Sequence, residues 1–563
     1  MIILRLPQLD HPSTSVWSQP LAPLHSLVWS ALIAVIPLVV VLVLMGVFRK
    51  GGLLSAASGL ATAVILAVGV WQMPASLAGW SIAYGFAFAV WSILWLVFNA
   101  LWLYNLSIDT GSFDRLRLWI QDHASGDPCV QATLVAFCFG ALLEGSAGFG
   151  APVAITAFLL VGLGFPARRA VVVSLIANTA PVAFGGVGLP IVALAGVTGL
   201  DVMKLSAAVG RQLPFLAVLL PAYLTLVVGG WEGLKRTWPV ALVAGLSFAV
   251  AQFAVSNIWG PYATDVLSAL ASIISTVAFL RIWSPSVGIV TATVFGGEYD
   301  APQPHARPAQ STDSLIGKLS FRDSVDGWVP WAILSLVMVL WSYFKLIPQG
   351  QIMVPVPALH NGVFISLYPQ KPYAAVFRFQ PLAGGTAVLA TTLLTALWFR
   401  VRPRALVKAG TTTLRQLRLP GMTVLFIVGL AYLYNYSGMV YTLGAALAGV
   451  GVVFPLVSSY LGWVACFLTG SDTASNLLFG NLQVAAAQQL HLNPVLLAAT
   501  NSSGAVTGKM ISPQNIAVGV TTVGLIGHEG EILRRTFWHS VLLATLIGLL
   551  ACAQAYVIPW MIP

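Results

Sequence analysis

The chain has 563 residues, of which 58% are hydrophobic and only 8% charged, with a mean hydropathy of +0.88. A soluble domain carries about 25% charged residues, so this composition excludes a soluble fold and indicates a multi-pass membrane protein. The net charge of +10 does not indicate a nucleic-acid partner, because the basic residues lie mostly in loops between apolar segments, as the positive-inside rule expects.

A membrane-spanning helix needs about 20 apolar residues. On that criterion the sequence predicts an all-α polytopic membrane protein with 12–14 transmembrane segments, some of them interrupted. The predicted helices cover residues 27–48, 53–73, 81–104, 169–196, 205–229, 239–257, 262–283, 327–347, 380–399, 420–437, 440–464, 494–523 and 537–558. The first is longer than the apolar core of a signal peptide, so we expect it to be retained in the membrane.

We expect two membrane halves, residues 1–283 and 327–563, joined by a flexible linker over residues 284–326 that is rich in proline, serine and charge. Residues 400–418 contain six basic residues and no acidic one, which predicts a cytoplasmic loop. Arg534 and Arg535 conflict with some charge counts of the second half, whose detailed topology therefore stays open.

The first polar break in the apolar sequence is Glu144-Gly-Ser-Ala-Gly-Phe-Gly-Ala-Pro152. The apolar runs on either side of it, residues 129–143 and 151–165, have about 15 residues each, which is short for a membrane span. We therefore predict two half-helices that meet within the membrane as a re-entrant hairpin. Irregular backbone at this depth is tolerated only where protein or an aqueous cavity covers it.

A second break, Thr469-Gly-Ser-Asp-Thr-Ala-Ser-Asn476, predicts a second hairpin whose two arms cover residues 455–469 and 477–490. Each break holds the one acidic residue of its neighbourhood and is followed about thirty residues later by another polar segment. The distance from Gly145 to Asn178 is 33 residues, and from Gly470 to Asn501 it is 31. We interpret the two halves as an internal repeat, inverted as in many secondary transporters.

The acidic residues of the two breaks, Glu144 and Asp472, are candidates for proton binding, since an ionisable group at membrane depth is costly and marks a functional site by default. The alternative is a permanently ionised carboxylate paired with Lys or Arg. Backbone N–H groups at the start of a half-helix attract an anion. Together with side-chain donors and glycines, they give the candidate substrate-binding set: Gly145, Ser146, Gly148, Gly150, Asn178, Thr179, Ser471, Ser475, Asn476, Asn501, Ser502, Ser503 and Lys509.

Three interpretations of Lys509 are open: it attracts a substrate carboxylate, it neutralises Asp472, or it extends to the membrane interface. The segment Ser503-Gly-Ala-Val-Thr-Gly-Lys509 departs from a P-loop at its first residue and after the lysine. No Ser–His pair or metal-ligand spacing is apparent in the sequence, so it predicts no enzyme, catalytic residue, metal site or cofactor.

Three blocks of the chain resemble the lactate permease family of bacterial secondary transporters. They are Glu144-Gly-Ser-Ala-Gly-Phe-Gly-Ala-Pro-Val-Ala-Ile155, Ile176-Ala-Asn-Thr-Ala-Pro-Val-Ala-Phe184, and Gly470-Ser-Asp-Thr-Ala-Ser-Asn476 through Gly508-Lys-Met-Ile-Ser-Pro-Gln514. The resemblance implies proton-coupled symport of L-lactate, with D-lactate and glycolate as additional substrates, across the bacterial cytoplasmic (inner) membrane. The partners would be a small carboxylate, protons and the lipid bilayer. At the level of fold it implies paired hairpins and elevator-like motion.

Two other functions stay open at this point. A sodium-coupled carboxylate transporter is one, since Asn, Ser and the carbonyls of broken helices can coordinate Na⁺. An anion channel is the other, because half-helices also build selectivity filters.

Overall fold

The computed structural model describes residues 2–3, 16–46, 48, 50–123, 127–146, 148, 150–283, 320–344, 346–364, 375–525 and 528–563. Most of the predicted linker, residues 284–319, lies outside the described residues. The end of that linker was placed wrongly, because residues 321–326 already belong to a helix that begins at Phe321.

The described part of the chain is a bundle of helices, which confirms the predicted all-α class. In chain order the helices are α1 (Leu27–Gly46), α2 (Gly52–Gly69), α3 (Ala75–Asp109), α4 (Ser112–His123), α5 (Pro128–Ser146), α6 (Ala151–Gly162), α7 (Ala167–Ala177), α8 (Gly185–Thr198), α9 (Val202–Ile258), α10 (Thr264–Ile282), α11 (Phe321–Tyr343), α12 (Gly384–Trp398), α13 (Pro403–Ser437), α14 (Met439–Ala448), α15 (Phe454–Thr469), α16 (Asp472–Gln489), α17 (Pro494–Gly508), α18 (Pro513–Thr522) and α19 (Glu529–Tyr556).

Within the described residues, nine helices are long and apolar enough to cross a membrane, or up to eleven if each sharply bent helix pair counts as one span. The bent pairs are α7 with α8, at 65°, and α14 with α15, at 111°. Large apolar side chains such as Leu219 and Val250 of α9 are more than half exposed, as expected of a surface that faces lipid. The protein is therefore a polytopic membrane protein.

The first predicted hairpin is formed by α5 and α6, which run antiparallel. A Cβ added to Gly140 of α5 would lie 3.3 Å from Cγ2 of Thr156 in α6, so the two helices are in close contact. The turn between them places Gly148 at φ 59° and Gly150 at φ 83°, a left-handed conformation that favours glycine. Helix α5 has 19 residues, all of them buried, and is thus longer than the predicted half-helix.

The second hairpin is formed by α15 and α16, again antiparallel. The Ser475 hydroxyl donates a hydrogen bond of 3.1 Å to the Gly462 carbonyl across the pair. Gly470 turns the chain at φ 71°, and the Ser471 side chain accepts a hydrogen bond from the Ala474 N–H. Because Ser471 caps the helix, α16 begins at Asp472, five residues earlier than the predicted second arm.

Each hairpin is followed by an interrupted helix, as predicted. In the first half, α7 ends at Ala177 with Asn178 as its C-cap residue, and a 3₁₀ turn (Val182–Phe184) leads into α8. In the second half, α17 is followed by a 3₁₀ turn (Lys509–Ile511) and then by α18. Asn178 therefore lies at the break, whereas Asn501 lies inside α17, so the two asparagines do not occupy equivalent places.

In the described part of the chain, five short strands form two small sheets, and residues 352–379 contribute three of these strands. Strand β1 (Ile2–Ile3) pairs parallel with β3 (Ile352–Pro355), and β3 pairs antiparallel with β5 (Val376–Phe379). A second parallel pair joins β2 (Trp17–Ser18) to β4 (Val363–Phe364). The first sheet is tied to α3 by the Tyr84 hydroxyl, which donates to the Val376 carbonyl at 2.8 Å.

Candidate functional site

The two hairpin tips meet at one cavity of about 60 Å³. Each tip supplies its acidic residue and its neighbours, and the interrupted helices supply further residues of the wall. The lining residues are Glu144, Gly148, Val182, Gly185, Gly186, Leu189, Pro190, Gly470, Ser471, Asp472, Thr473 and Lys509. The cavity is therefore built jointly by both halves of the chain.

Glu144 and Lys509 form a buried ion pair across the two halves. The Lys509 Nζ lies 2.6 Å from Glu144 Oε1, and the Asn178 amide donates to Oε2 at 2.9 Å. Only 3% of Glu144 and 6% of Lys509 are exposed. Each carboxylate oxygen thus has a donor, which is the geometry a buried ionised carboxylate requires. The ion-pair partner of Lys509 is thus Glu144, a residue that the sequence did not identify as its partner.

Glycine at position 185 makes room for this ion pair. A Cβ at Gly185 would lie 2.7 Å from Glu144 Oε1, which is too close for the carboxylate to keep its place. The next three residues, Gly186, Val187 and Gly188, all have left-handed backbone angles. Val187 is β-branched and adopts φ 61°, a strained conformation of the kind that concentrates at functional sites.

Asp472 has a different environment from Glu144. The Ser502 hydroxyl donates to Oδ2 at 2.9 Å, while Oδ1 is buried without a hydrogen-bond partner among the described residues. No basic side chain forms an ion pair with it in the described part of the chain. Of the two predicted proton-binding groups, Asp472 is therefore the one without an ion-pair partner among the described residues.

A chain of hydrogen bonds leads to Asp472 through the second half. The Gln483 amide donates to Asn501 Oδ1 at 3.0 Å, and Asn501 Nδ2 donates to Asn476 Oδ1 at 3.0 Å. Asn476 Nδ2 then donates to the Ser502 hydroxyl at 3.0 Å and to the Pro190 carbonyl of α8 at 3.2 Å. Each residue of this chain donates to the next, and Ser502 donates to the Asp472 carboxylate. Hydrogen bonds in such a chain strengthen one another in a low-dielectric interior.

The other predicted binding residues are buried near the tips, but several face away from the cavity. The Ser146 hydroxyl donates to the Leu142 carbonyl of its own helix, and Ser475 bonds within its hairpin. Gly145 packs against α10. Gly150 begins α6, where a Cβ would lie 3.2 Å from Asn515 Oδ1.

Two predicted residues have buried hydroxyls that are not engaged. The hydroxyl oxygens of Thr179 and Ser503 have no hydrogen-bond partner among the described residues. Neither residue lines the cavity in this conformation. The positions of Thr179 and Ser503 therefore give no support to their predicted role in substrate binding.

Sequence reasoning missed part of the cavity wall. Gly185, Gly186 and Thr473 line the cavity but were not among the candidates. A signal existed for each, since Gly185-Gly-Val-Gly188 follows the first polar break and Thr473 is adjacent to Asp472. Leu189 and Pro190 gave no such signal, because they are apolar residues within an apolar run.

The cavity combines two carboxyls, one ammonium and the N-terminus of α16. With all three side chains charged, it carries one net negative charge, which opposes binding of an anion. A single proton on either carboxyl removes that charge and leaves the ammonium and the helix N-terminus to attract an anion. The arrangement can therefore link the binding of an anion to the binding of a proton.

A larger cavity of about 270 Å³ lies elsewhere, between α7, α9 and α19. It is lined by Arg169, Arg535 and His539 with apolar neighbours. Arg535 is already paired with Glu531 at 2.9 Å, and no residue of either hairpin tip reaches this cavity. The smaller cavity at the tips is the better candidate, because it joins both polar breaks.

Comparisons with known proteins agree on one family. The family described as L-lactate permease matches residues 30–558. The glycolate permease GlcA of Escherichia coli (strain K12) is 42% identical over 559 residues, covering 97% of this chain and 99% of that protein. The L-lactate permease of Salmonella typhimurium is 40% identical, covering 98% and 100%. Among solved structures, the YdaH transporter of Alcanivorax borkumensis aligns at 16% identity with a TM-score of 0.43, covering 84% and 88%.

Proposed function

The chain belongs to the L-lactate permease family, and is thus a membrane transporter and not an enzyme; we propose that it is a proton-coupled symporter of small 2-hydroxymonocarboxylates. The proposed substrates are L-lactate, D-lactate and glycolate, in keeping with the names of the relatives. The proposed location is the bacterial cytoplasmic membrane.

The observation that carries this proposal is the shared cavity at the two hairpin tips. It holds Glu144, Asp472 and Lys509, which are the ionisable residues of the polar breaks. Intramembrane ionisable residues that face a cavity mark ion and substrate pathways in transporters. A site formed jointly by two halves is also the usual location of a transported ligand.

The size of the cavity supports a small substrate. A buried water molecule needs roughly 10–15 Å³ of cavity volume. A cavity of about 60 Å³ therefore accommodates about four to six water molecules. A two- or three-carbon hydroxy acid has a comparable number of non-hydrogen atoms. Among the described residues of the wall Lys509 is the single basic one, which supports one carboxylate on the substrate and not two.

The charges of the cavity support proton coupling. The Glu144–Lys509 pair is neutral as a unit, and Asp472 adds a negative charge when it is ionised. A substrate carboxylate next to an ionised Asp472 would bring two like charges together in a low-dielectric site. Protonation of Asp472 removes this repulsion, so proton and substrate are expected to bind together.

Glu144 has a second role in this proposal. When the substrate carboxylate arrives, it competes with Glu144 for the Lys509 ammonium. A proton on Glu144 would release Lys509 to the substrate, and Asn178 would then bond the neutral acid. Both acidic residues thus remain proton-binding candidates, with Asn476, Asn501 and Ser502 positioning Asp472.

The test is uptake of labelled glycolate or L-lactate by the purified full-length protein in liposomes. The pH gradient and the sodium gradient are imposed separately. We expect accumulation driven by the pH gradient alone, and saturable counterflow of labelled against unlabelled substrate. Accumulation that requires the sodium gradient would show that sodium, and not the proton, is the coupling ion. Large unitary currents without counterflow would indicate an anion channel.

A further inference from the structure

A third acidic residue lies beside the site described above. Asp265 is in the first turn of α10 and is only 1% exposed. Neither of its carboxylate oxygens has a hydrogen-bond partner among the described residues. Glu144 has a donor on both oxygens and Asp472 on one, so Asp265 is the least satisfied of the three carboxyls.

The tip of the first hairpin covers Asp265. Gly145 of α5 packs so closely that a Cβ there would lie 2.7 Å from Asp265 Cβ and 3.0 Å from the Val266 nitrogen. Glycine is required for this approach because any larger residue would collide with α10. The buried Asp265 therefore lies directly against the hairpin arm that carries Glu144.

The charges around Asp265 disfavour its ionised form. Helix α10 packs against α5, α8, α9 and α11. Among the described residues, the charged groups that interact with Asp265 are Glu144 on α5, of the same sign, and Lys509, of the opposite sign. Lys509 is already paired with Glu144. An ionised Asp265 would thus be a buried charge without a hydrogen bond or a counterion of its own.

A carboxyl in this setting contributes nothing to the stability of the bundle. A buried polar group without a partner costs free energy, and each such group in a native structure requires an explanation. Membrane-buried acids are functional candidates by default. The explanation that fits both the burial and the glycine contact is a group that changes its protonation when the tip moves.

We propose that Asp265 is a further proton-binding site of the transport cycle, neutral while the first hairpin tip covers it and titrating when the tip moves away. The carboxylic acid releases its proton to water on uncovering, and the carboxylate takes one up before the tip closes again. No other bond changes. This inference rests on the proposed proton coupling and adds to it a residue that the cavity itself does not include.

The test uses Asp265→Asn, which mimics the neutral acid, in the full-length protein in liposomes. The first assay is exchange of labelled for unlabelled glycolate at equal pH on both sides, and the second is accumulation driven by a gradient of one pH unit.

Each coupled proton contributes about tenfold accumulation per pH unit. We expect exchange close to that of the wild type and accumulation about tenfold lower. Glu232→Gln, at an exposed acid, is the matched control and should behave as the wild type.

The outcomes separate this inference from the proposed function. If the pH gradient does not change accumulation by the wild-type protein, the proposed function is refuted. If the pH gradient drives accumulation by the wild-type protein and the Asp265→Asn variant accumulates as much, only the role of Asp265 is refuted. If the variant also loses exchange, infrared spectroscopy decides, because only a protonated carboxyl gives the carboxylic-acid C=O band. Loss of part of that band in the variant supports the proposal, and an unchanged band overturns it.

Discussion

Lys509 of the second half forms an ion pair with Glu144 of the first hairpin, with 2.6 Å between Nζ and Oε1 and a separation of 365 positions in the chain. The pair joins the two halves at the wall of the cavity. Its burial makes each charge dependent on the other, because a lone charge in this position would be neither solvated nor compensated.

The first prediction concerns the stability of this pair. Lys509→Met should destabilise the protein by about 3–5 kcal/mol, since removing one partner of a buried pair leaves an uncompensated charge. The double variant Lys509→Met/Glu144→Gln should recover most of that loss. Thermal unfolding of the purified protein measures the stability of both variants.

The control is Lys235→Met, which breaks an exposed pair with Glu232 and should cost at most about 1 kcal/mol. Additive effects of the two buried substitutions would argue against a direct pair.

The second prediction concerns coupling through Glu144. Glu144→Gln cannot take up or release a proton and leaves the Lys509 ammonium without its carboxylate. We expect it to abolish accumulation of lactate driven by a pH gradient in liposomes, while Glu232→Gln should retain it. Normal pH-dependent uptake by Glu144→Gln would remove this residue from the mechanism.

The third prediction concerns the pH dependence of transport. The Ser502 hydroxyl donates to Asp472 and so stabilises its ionised form. In Ser502→Ala the carboxyl holds its proton more tightly, and proton release requires a higher pH. The midpoint of the pH profile of uptake should therefore move upward. Ser247→Ala, whose hydroxyl bonds only its own helix, is the control. A downward shift, or none, would exclude Asp472 as the group that sets the profile.

The fourth prediction concerns substrate size. Leu189 lines the cavity and is 4% exposed, so Leu189→Ala should admit one more methylene on the substrate. One methylene in an apolar pocket changes the selectivity by about 10-fold or more. The ratio of 2-hydroxybutyrate to lactate uptake should rise by that order, measured in competition assays. Leu219→Ala, on the exposed face of α9, should leave the ratio unchanged. Equal ratios in both variants would place the substrate elsewhere.

The polar breaks allowed much of the site to be predicted from sequence. Glu144 and Asp472 are predicted because charge is costly at membrane depth, and both line one cavity together with Lys509, which is predicted as a donor to the substrate. The hairpins were predicted because the apolar runs were short and separated by glycine. These features depend on local sequence, and a single chain displays them directly.

Other features depend on tertiary contacts and were not predictable in the same way. Nothing near Lys509 in the sequence identifies Glu144 as its partner. The similar spacing of Asn178 and Asn501 from the two polar breaks suggests an equivalence, but Asn501 lies inside a helix and Asn178 at a helix end. Asp265 was overlooked although it is an acidic residue in a predicted membrane helix, because it lies in no polar break. Its importance comes from the contact with Gly145, which only the fold reveals.

The most direct measurement of the central claim is a cryo-electron microscopy map of the full-length protein with bound glycolate. We predict ligand density in the cavity between the hairpin tips, with the carboxylate close to Lys509 and to the backbone N–H groups at the start of α16. Density in the larger cavity beside Arg169 and Arg535, with the cavity at the tips left empty, would contradict the account.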